Sequence, residues 1–254
     1  MRKRPLILLL GGLLTSLFVF LPRSLSDAPQ DSEFVYARIR YHVTPAGWYM
    51  REVPWHHDYP YGDETFPTVF GEVSTVKTSP TSFKVVDIDS PELFKYPFAY
   101  FAEPGYVDLS PKDVENLREY LDRGGFLFVD DFRTAAFSRQ TGGAGEDDIG
   151  HFRREVKKMY PDRDFVRLDL SDPIFSVFYK MKSLDMMAPY IFPGQLPVEF
   201  LGLRDAQGNL QMILNNNNDL SEFFEWIDQG RMSMHDASTA LQFGINYAIY
   251  ALTH

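Results

Sequence analysis

Residues 96–132 read YPFAYFAEPGYVDLSPKDVENLREYLDRGGFLFVDDF, and this stretch decides the fold. Pro97 to Ala102 is a short, nearly continuous apolar run closed by Glu103-Pro104-Gly105. Gly125 to Val129 is a second, closed by Asp130-Asp131. Apolar runs without polar alternation suit strands covered on both faces, as in a parallel sheet. Between them, Ser110 stands at a helix N-cap and Pro111 at the first helical position. Val114, Leu117, Tyr120 and Leu121 follow at spacings of three and four and make one apolar face. Asp113 sits where the helix dipole favours an acid, and Gly124-Gly125 supplies the left-handed stop. Strand, helix, strand in this order predicts a right-handed βαβ crossover.

The chain has 254 residues, 44% of them hydrophobic and 15% aromatic, enough for one large core or two small ones. Its net charge of −10 argues against nucleic acid as a partner. There is no cysteine, which excludes disulfides, thiolate metal sites and a cysteine nucleophile.

Residues 1–26 stand apart. Arg2-Lys3-Arg4 precedes an uncharged run from Pro5 to Leu21, and Ser24-Leu25-Ser26 fits a cleavage site. This is the pattern of a secretory signal. A retained N-terminal anchor is the alternative, because residues 5–21 approach the roughly 17-residue minimum for spanning a membrane. Either reading predicts an extracytoplasmic chain, periplasmic or secreted, free or tethered by an uncleaved anchor. Removing residues 1–26 takes the net charge from −10 to −14. Without cysteine there is no lipobox. Residues 27–33 read as a linker, and residues 34–254 as a single α/β domain.

Within that domain, residues 34–41 predict the first strand, alternating from Tyr36 onward. A long loop from His42 to Asp63 follows, rich in aromatics. Long loops in compact domains are functional or disordered, and these rings argue against disorder. Residues 64–76 carry helical spacing, and Phe83 to Val86 predicts the second strand. After residues 96–132, Thr141 to Asp148 reads as a flexible loop, His151 to Met159 as a helix and Phe165 to Leu168 as a strand. Asp172-Pro173-Ile174-Phe175 opens a short helical or extended piece, and Leu184 to Pro197 reads as irregular. Val198 to Arg204 and Leu210 to Leu214 suggest a hairpin. Asn215 to Asn218 fit a turn, capped by Asp219 or Ser221. The last helix is expected from Asp236, as its N-cap.

Several of these segments resemble one bacterial family. They are Phe34-Val35-Tyr36-Ala37-Arg38, Asp58-Tyr59-Pro60, Tyr96-Pro97-Phe98, Gly124-Gly125-Phe126-Leu127, Asp130-Asp131-Phe132 and Asp172-Pro173-Ile174-Phe175. Gly244-Ile245-Asn246 and Tyr250-Ala251-Leu252-Thr253-His254 resemble it too. The family is the domain of unknown function 4159, and the resemblance covers nearly all of residues 34–254. It implies a fold similar to the class I glutamine amidotransferase and trehalose-utilisation group, a flavodoxin-like three-layer α/β sandwich with a mostly parallel sheet. It implies no activity, and amidotransferase chemistry does not transfer, because that chemistry needs a cysteine.

In an open parallel sheet, ligands bind outside the carboxyl ends of the strands. Three predicted strands end in acids: Asp87 and Asp89, Glu103, and Asp130 with Asp131. The His42–Asp63 loop leaves the first strand at the same edge and carries His56, His57, Asp58 and Asp63. The catalytic candidates are therefore Asp58, Glu103, Asp131 and His57. His56, Asp63, Asp130, Asn215 and Asn217 are candidate binding residues. Carboxylates and imidazoles are ligand types for Zn, Mn or Fe, so a divalent metal fits, although no HExxH spacing or other cofactor motif is evident. The plainer reading is that these acids cap helices and turns, that both histidines face solvent, and that the aromatic loop is a lid packed on the sheet. His235-Asp236 reads as the start of a helix. No phosphate loop and no nucleophile elbow is present. Two functions stay open. One is an envelope domain binding a small polar ligand, such as a saccharide or peptide, or an envelope protein. The other is a hydrolase-like enzyme, metal-assisted or not, acting on a saccharide or other polar substrate.

Overall fold

The computed structural model describes residues 33–136, 147–186, 188–189 and 196–254. The predicted signal or anchor, most of the linker and most of the Thr141–Asp148 loop lie outside the described residues. Among the described residues, no helix is long and apolar enough to cross a membrane.

Seven strands form one sheet: β1 (Tyr36–Arg40), β2 (Phe83–Asp87), β3 (Phe98–Phe101), β4 (Phe126–Val129), β5 (Val166–Arg167), β6 (Glu199–Arg204) and β7 (Leu210–Asn216). Their order is β2-β1-β3-β4-β7-β6-β5. The first five in that order run parallel, and the β6–β7 hairpin and β5 add antiparallel strands at the far side. Among the described residues the α-helices are α1 (Tyr61–Val73), α2 (Pro111–Asp122), α3 (Asp148–Met159), α4 (Leu220–Glu225) and α5 (Met234–Thr253).

Strand residues alternate between two cores because successive side chains leave a strand on opposite faces. Tyr36, Phe98, Tyr100, Phe126 and Phe128 pack under α1, α4 and α5. Ala37, Ile39, Ala99, Phe101, Leu127 and Val129 pack against α2 and α3. Helices thus cover both faces, and the described residues form a three-layer α/β fold. Every residue of β3 and β4 is buried, as their unbroken apolar runs require.

The stretch 96–132 folds as its sequence predicts. Ser110 accepts from the backbone N–H of Asp113, and the Asp113 carboxylate accepts from that of Ser110, a reciprocal capping box. Gly124 ends the helix at φ +94°. Elsewhere the boundaries shift. α1 begins at Tyr61 rather than Glu64, which puts Asp63 in its first turn and not in the loop. Asp147 caps α3, whose first residue is Asp148. β5 shrinks to two exposed residues at the sheet edge, where few neighbours hold it. Asn215 and Asn216 extend β7 instead of forming a turn. Ser233 caps α5, and Asp236 is its third residue, not its cap. β1 pairs with β2 on one side and β3 on the other. The chain therefore reverses direction across the sheet at β1, and a crevice opens at the carboxyl ends of such strands.

Candidate functional site

The site is built from β1 outward. Arg38 is fully buried and clamps Asp63 on α1 through Nε, at 2.9 and 3.0 Å, and through an Nη at 2.6 Å. Its other Nη donates to the carbonyls of Trp55 (3.1 Å) and His57 (2.8 Å), and its guanidinium lies 4.7 Å from the centre of the Tyr100 ring. A strand residue thereby anchors the loop above it. The anchoring delivers His57 and Asp58 to the carboxyl edge of the sheet, just before a cis Tyr59-Pro60 peptide.

The ends of β3 and β4 come to meet them. Asp58, Glu103 and Asp131 have φ of 61°, 44° and 59°, the left-handed region that non-glycine residues rarely occupy. Holding a non-glycine residue there costs about 1–3 kcal/mol, and such strain concentrates at functional sites. His57 Nδ1 lies 3.2 Å from an Asp131 oxygen and 3.3 Å from an Asp58 oxygen. Arg133 pairs closely with Glu103 and reaches Asp131 at 3.4 Å. Its backbone N–H donates to Asp148 at 2.7 Å.

The start of α4 forms the third wall. Asp130 accepts from the backbone N–H groups of Leu220 (2.7 Å) and Ser221 (3.0 Å) and from the Asn215 amide (3.1 Å). Asp130 and Asp131 thus face opposite ways, the first toward α4 and the second toward His57. Asp219 caps α4 from its own chain, accepting from the Glu222 N–H at 3.0 Å. The Ser221 hydroxyl receives the Tyr100 hydroxyl at 2.6 Å and lies against the carboxylates of Asp58 and Asp219.

Buried acids here outnumber buried cations, and their proton affinities diverge. Burial pushes Glu103 well above the carboxylate range, with Arg133 only partly opposing. Burial, then Asp58 and Asp131, raises Asp219. Burial also lifts Asp130 to about 8 and Asp148 to about 7. Asp131 goes the other way: burial would raise it, but Arg133 and His57 hold it far below the usual range. Asp58 is also lowered, since His57 and Ser221 outweigh its burial. His57 is raised, because Asp131 and Asp58 overcome the burial that disfavours its charge.

An open cleft of about 870 Å³ lies over this cluster, with His57, Asp58, Glu103 and Arg133 on its wall. Glu222, Glu225 and Trp226 face them, and Arg231 stacks 3.7 Å from the centre of the Trp226 ring. Burial, Asp58 and Glu222 raise Glu225 to about 7. The aromatic loop is not packed away: Trp48 is 71% and Tyr49 89% exposed, while Trp55 packs on the core below.

Of the residues expected at a site, the structure gathers His57, Asp58, Glu103 and Asp131. It leaves the others out. Asp63 is consumed by Arg38, and Asp130 by α4 and Asn215. Asn215 also accepts from Tyr247 at 3.0 Å, and Asn217 donates to the Pro197 carbonyl at 2.9 Å. His56 pairs with Glu52 at 2.8 Å on the loop surface. Asp87 and Asp89 pair with Arg40 and Lys112, away from the cleft. Sequence reasoning missed Arg133, Glu222, Glu225, Trp226 and Arg231, and took Asp219 for a cap alone. The signal was available: β7 ends at the same edge as β3 and β4, and an acid-rich helix start follows it directly. Among the described residues, two groups could hold a metal ion: His57 with Asp58, Asp219 and Glu222, and His57 with Glu103 and Asp131.

The family described as "Domain of unknown function (DUF4159)" matches residues 36–252 of the chain. No curated protein matches it.

Proposed function

For a chain that belongs to the DUF4159 family, we propose a ligand-binding role, with the acidic cleft taking a small polar ligand rich in hydroxyl or amino groups. One observation carries this reading. Asp58, Glu103 and Asp131, each held in a left-handed backbone, converge with His57 under an open cleft. Carboxyl groups accept hydrogen bonds from hydroxyl and ammonium donors, and Trp226 lines the same cleft. The strand order β2-β1-β3-β4-β7 supports the flavodoxin-like, amidotransferase-like layout. The basic and apolar segments of residues 2–21 support an extracytoplasmic location with a signal or anchor, and an envelope protein as the macromolecular partner.

The test is a thermal-shift and calorimetric screen of oligosaccharides, polyols and polyamines, run once in EDTA and once with added MnCl2. A hydroxyl- or amine-rich compound should stabilise the wild type, and Trp226→Ala and Glu103→Gln should weaken that effect at least tenfold. A screen without any hit under either condition, or a hit indifferent to both substitutions, refutes the reading.

A second reading, a hydrolase-like enzyme, draws on the divergence of Glu103 and Asp131. Two neighbouring carboxyls with opposite shifts supply a general acid and a base or nucleophile at one pH. In this reading Glu103 carries the proton, Asp131 is the anion, and His57 bridges Asp131 and Asp58. Turnover of chromogenic glycosides or esters that is lost in both Asp131→Asn and Glu103→Gln would favour it over simple binding.

A further inference from the structure

We propose that His57, Glu103 and Asp131 form a divalent-cation site on the inner wall of the cleft, with one imidazole and two carboxylate ligands and open positions facing the cleft. This deepens the binding reading, since the cation would fix a polar ligand at the same place. Each residue offers one donor atom, and the three atoms lie within 4.8 Å of one another. The His57 Nδ1 and Asp131 oxygen are 3.2 Å apart. Two donors held about 2.1 Å from one ion at a near-right angle are about 3 Å apart, so this edge already has ligand spacing.

An independent observation points to something missing. Glu103 is 2% exposed; its Oε1 pairs with Arg133, while its Oε2 is buried without a hydrogen-bond partner among the described residues. A buried carboxylate oxygen is ordinarily satisfied, and an orphan calls for an unseen water, ion or ligand. His57 Nδ1 repeats the pattern: two carboxylate oxygens approach it, yet neither lies in line for a hydrogen bond. A metal accepts from a nitrogen lone pair and from carboxylate oxygens together, where a single ring proton cannot serve both carboxylates.

The charge count is consistent. A bound dication displaces the protons that His57 and Glu103 otherwise hold, and a neutral imidazole, two carboxylates, Arg133 and the dication then sum to one positive charge. A hydroxyl, carboxylate or water oxygen entering from the cleft would then complete the shell. Mixed nitrogen and oxygen donors favour Zn, Mn or Fe over Mg or Ca. The competing group, His57 with Asp58, Asp219 and Glu222, shares the ring, but none of its acids has a buried oxygen left without a partner. Asp58 and Asp219 hold Ser221, and Glu222 accepts from the Trp226 indole at 2.6 Å.

The experiment uses the full chain, stripped with EDTA and titrated calorimetrically with ZnCl2 and MnCl2. A parallel titration with CoCl2 follows the visible absorption. One equivalent should bind, with a cobalt spectrum typical of a mixed nitrogen and oxygen shell. Glu103→Gln and Asp131→Asn should each weaken binding at least tenfold, and Asp219→Asn less than threefold. Near-ultraviolet circular dichroism checks that each variant is folded, and His57→Ala with its cobalt spectrum substitutes for any that is not. No binding by the wild type, or binding that survives Glu103→Gln within threefold, overturns the proposal. Loss in Asp219→Asn with retention in Glu103→Gln overturns it in favour of the other group. Because the ligand screen runs with and without metal, a ligand hit in EDTA together with no metal binding refutes the cation site and spares the cleft.

Discussion

Two sets of acids end parallel strands of the same sheet and meet opposite fates. At the end of β2, Asp87 pairs with Arg40, both nearly half exposed, and Asp89 pairs with Lys112 at 2.7 Å. At the ends of β3 and β4, Glu103 and Asp131 are almost fully buried and left-handed, and they crowd His57 and Arg133. The difference is position in the sheet. Among the described residues β2 is an edge strand, and the Asp87 side chain there is 46% exposed. β3 and β4 lie inside, roofed by the loop that Arg38 anchors and walled by α4. A strand-end acid becomes site chemistry where neighbours strip its water. At an edge it remains a solvated surface charge.

The sharpest way to break this comparison is on β1 itself, where Arg38 and Arg40 stand two residues apart. Arg38→Leu strands Asp63 as an unpaired buried charge and should cost about 3–5 kcal/mol in urea denaturation. Arg40→Leu removes an exposed ion pair and should cost under about 1 kcal/mol. Equal losses would mean that burial does not separate the two ends. Next in size is Asp131→Asn. Asparagine tolerates the left-handed backbone, so the change tests charge and not strain. It leaves His57 and Arg133 short of a carboxylate and should cost about 1–3 kcal/mol. The matched Asp87→Asn should stay within about 0.5 kcal/mol.

The pH dependence of stability sharpens the same contrast. Burial lifts Asp130 to about 8 and Asp148 to about 7, whereas an unfolded aspartate titrates near about 4. Between those values the native state keeps protons that the unfolded chain has released, so stability falls as pH rises. His57, raised by Asp131 and Asp58, acts in the same direction. Its contribution is complete below about 6.5 and is lost as pH climbs toward its folded value. The lowered Asp58 and Asp131 work oppositely, but only in acid below the unfolded carboxylate range. The thermal midpoint should therefore drop by several degrees from pH 5 to pH 8, and less steeply in Asp130→Asn. A midpoint that climbs over this range contradicts the buried-acid account.

Much of the architecture was legible because local chemistry and fold agreed. The caps at Ser110 and Gly124, the apolar runs of β3 and β4, and the β6–β7 hairpin all announce themselves within a few residues. The four residues singled out as catalytic candidates do meet: Glu103 and Asp131 end neighbouring parallel strands at one edge, and Arg38 holds the loop of His57 and Asp58 above them. What stayed hidden depends on contacts distant in sequence. Nothing local marks Asp63 as the partner of Arg38, or Asp130 as a cap for a helix 90 residues later. Arg133, Glu222 and Trp226 needed β7 to be placed beside β4 before they could be assigned to the same cleft. The four asparagines read as a turn because asparagine tolerates turn conformations, yet the first two pair within the sheet.

The smallest expected effect is also a control on the whole argument. Asp89 lies at the same edge of the sheet as Glu103 and belongs to the same predicted row of acids. Its partner Lys112 is 70% exposed, and water screens both. Asp89→Asn should change stability by less than about 0.5 kcal/mol and leave cation and ligand binding at the wild-type level. Its own lowered proton affinity rests first on the hydrogen bond from Lys112, a contact the cleft does not share. If Asp89→Asn nevertheless weakens binding in calorimetry at 0.15 M salt, screening has failed to isolate it over the roughly 8 Å expected there. The acids would then act as one field along the edge, and the distinction between the two strand ends would have to be abandoned.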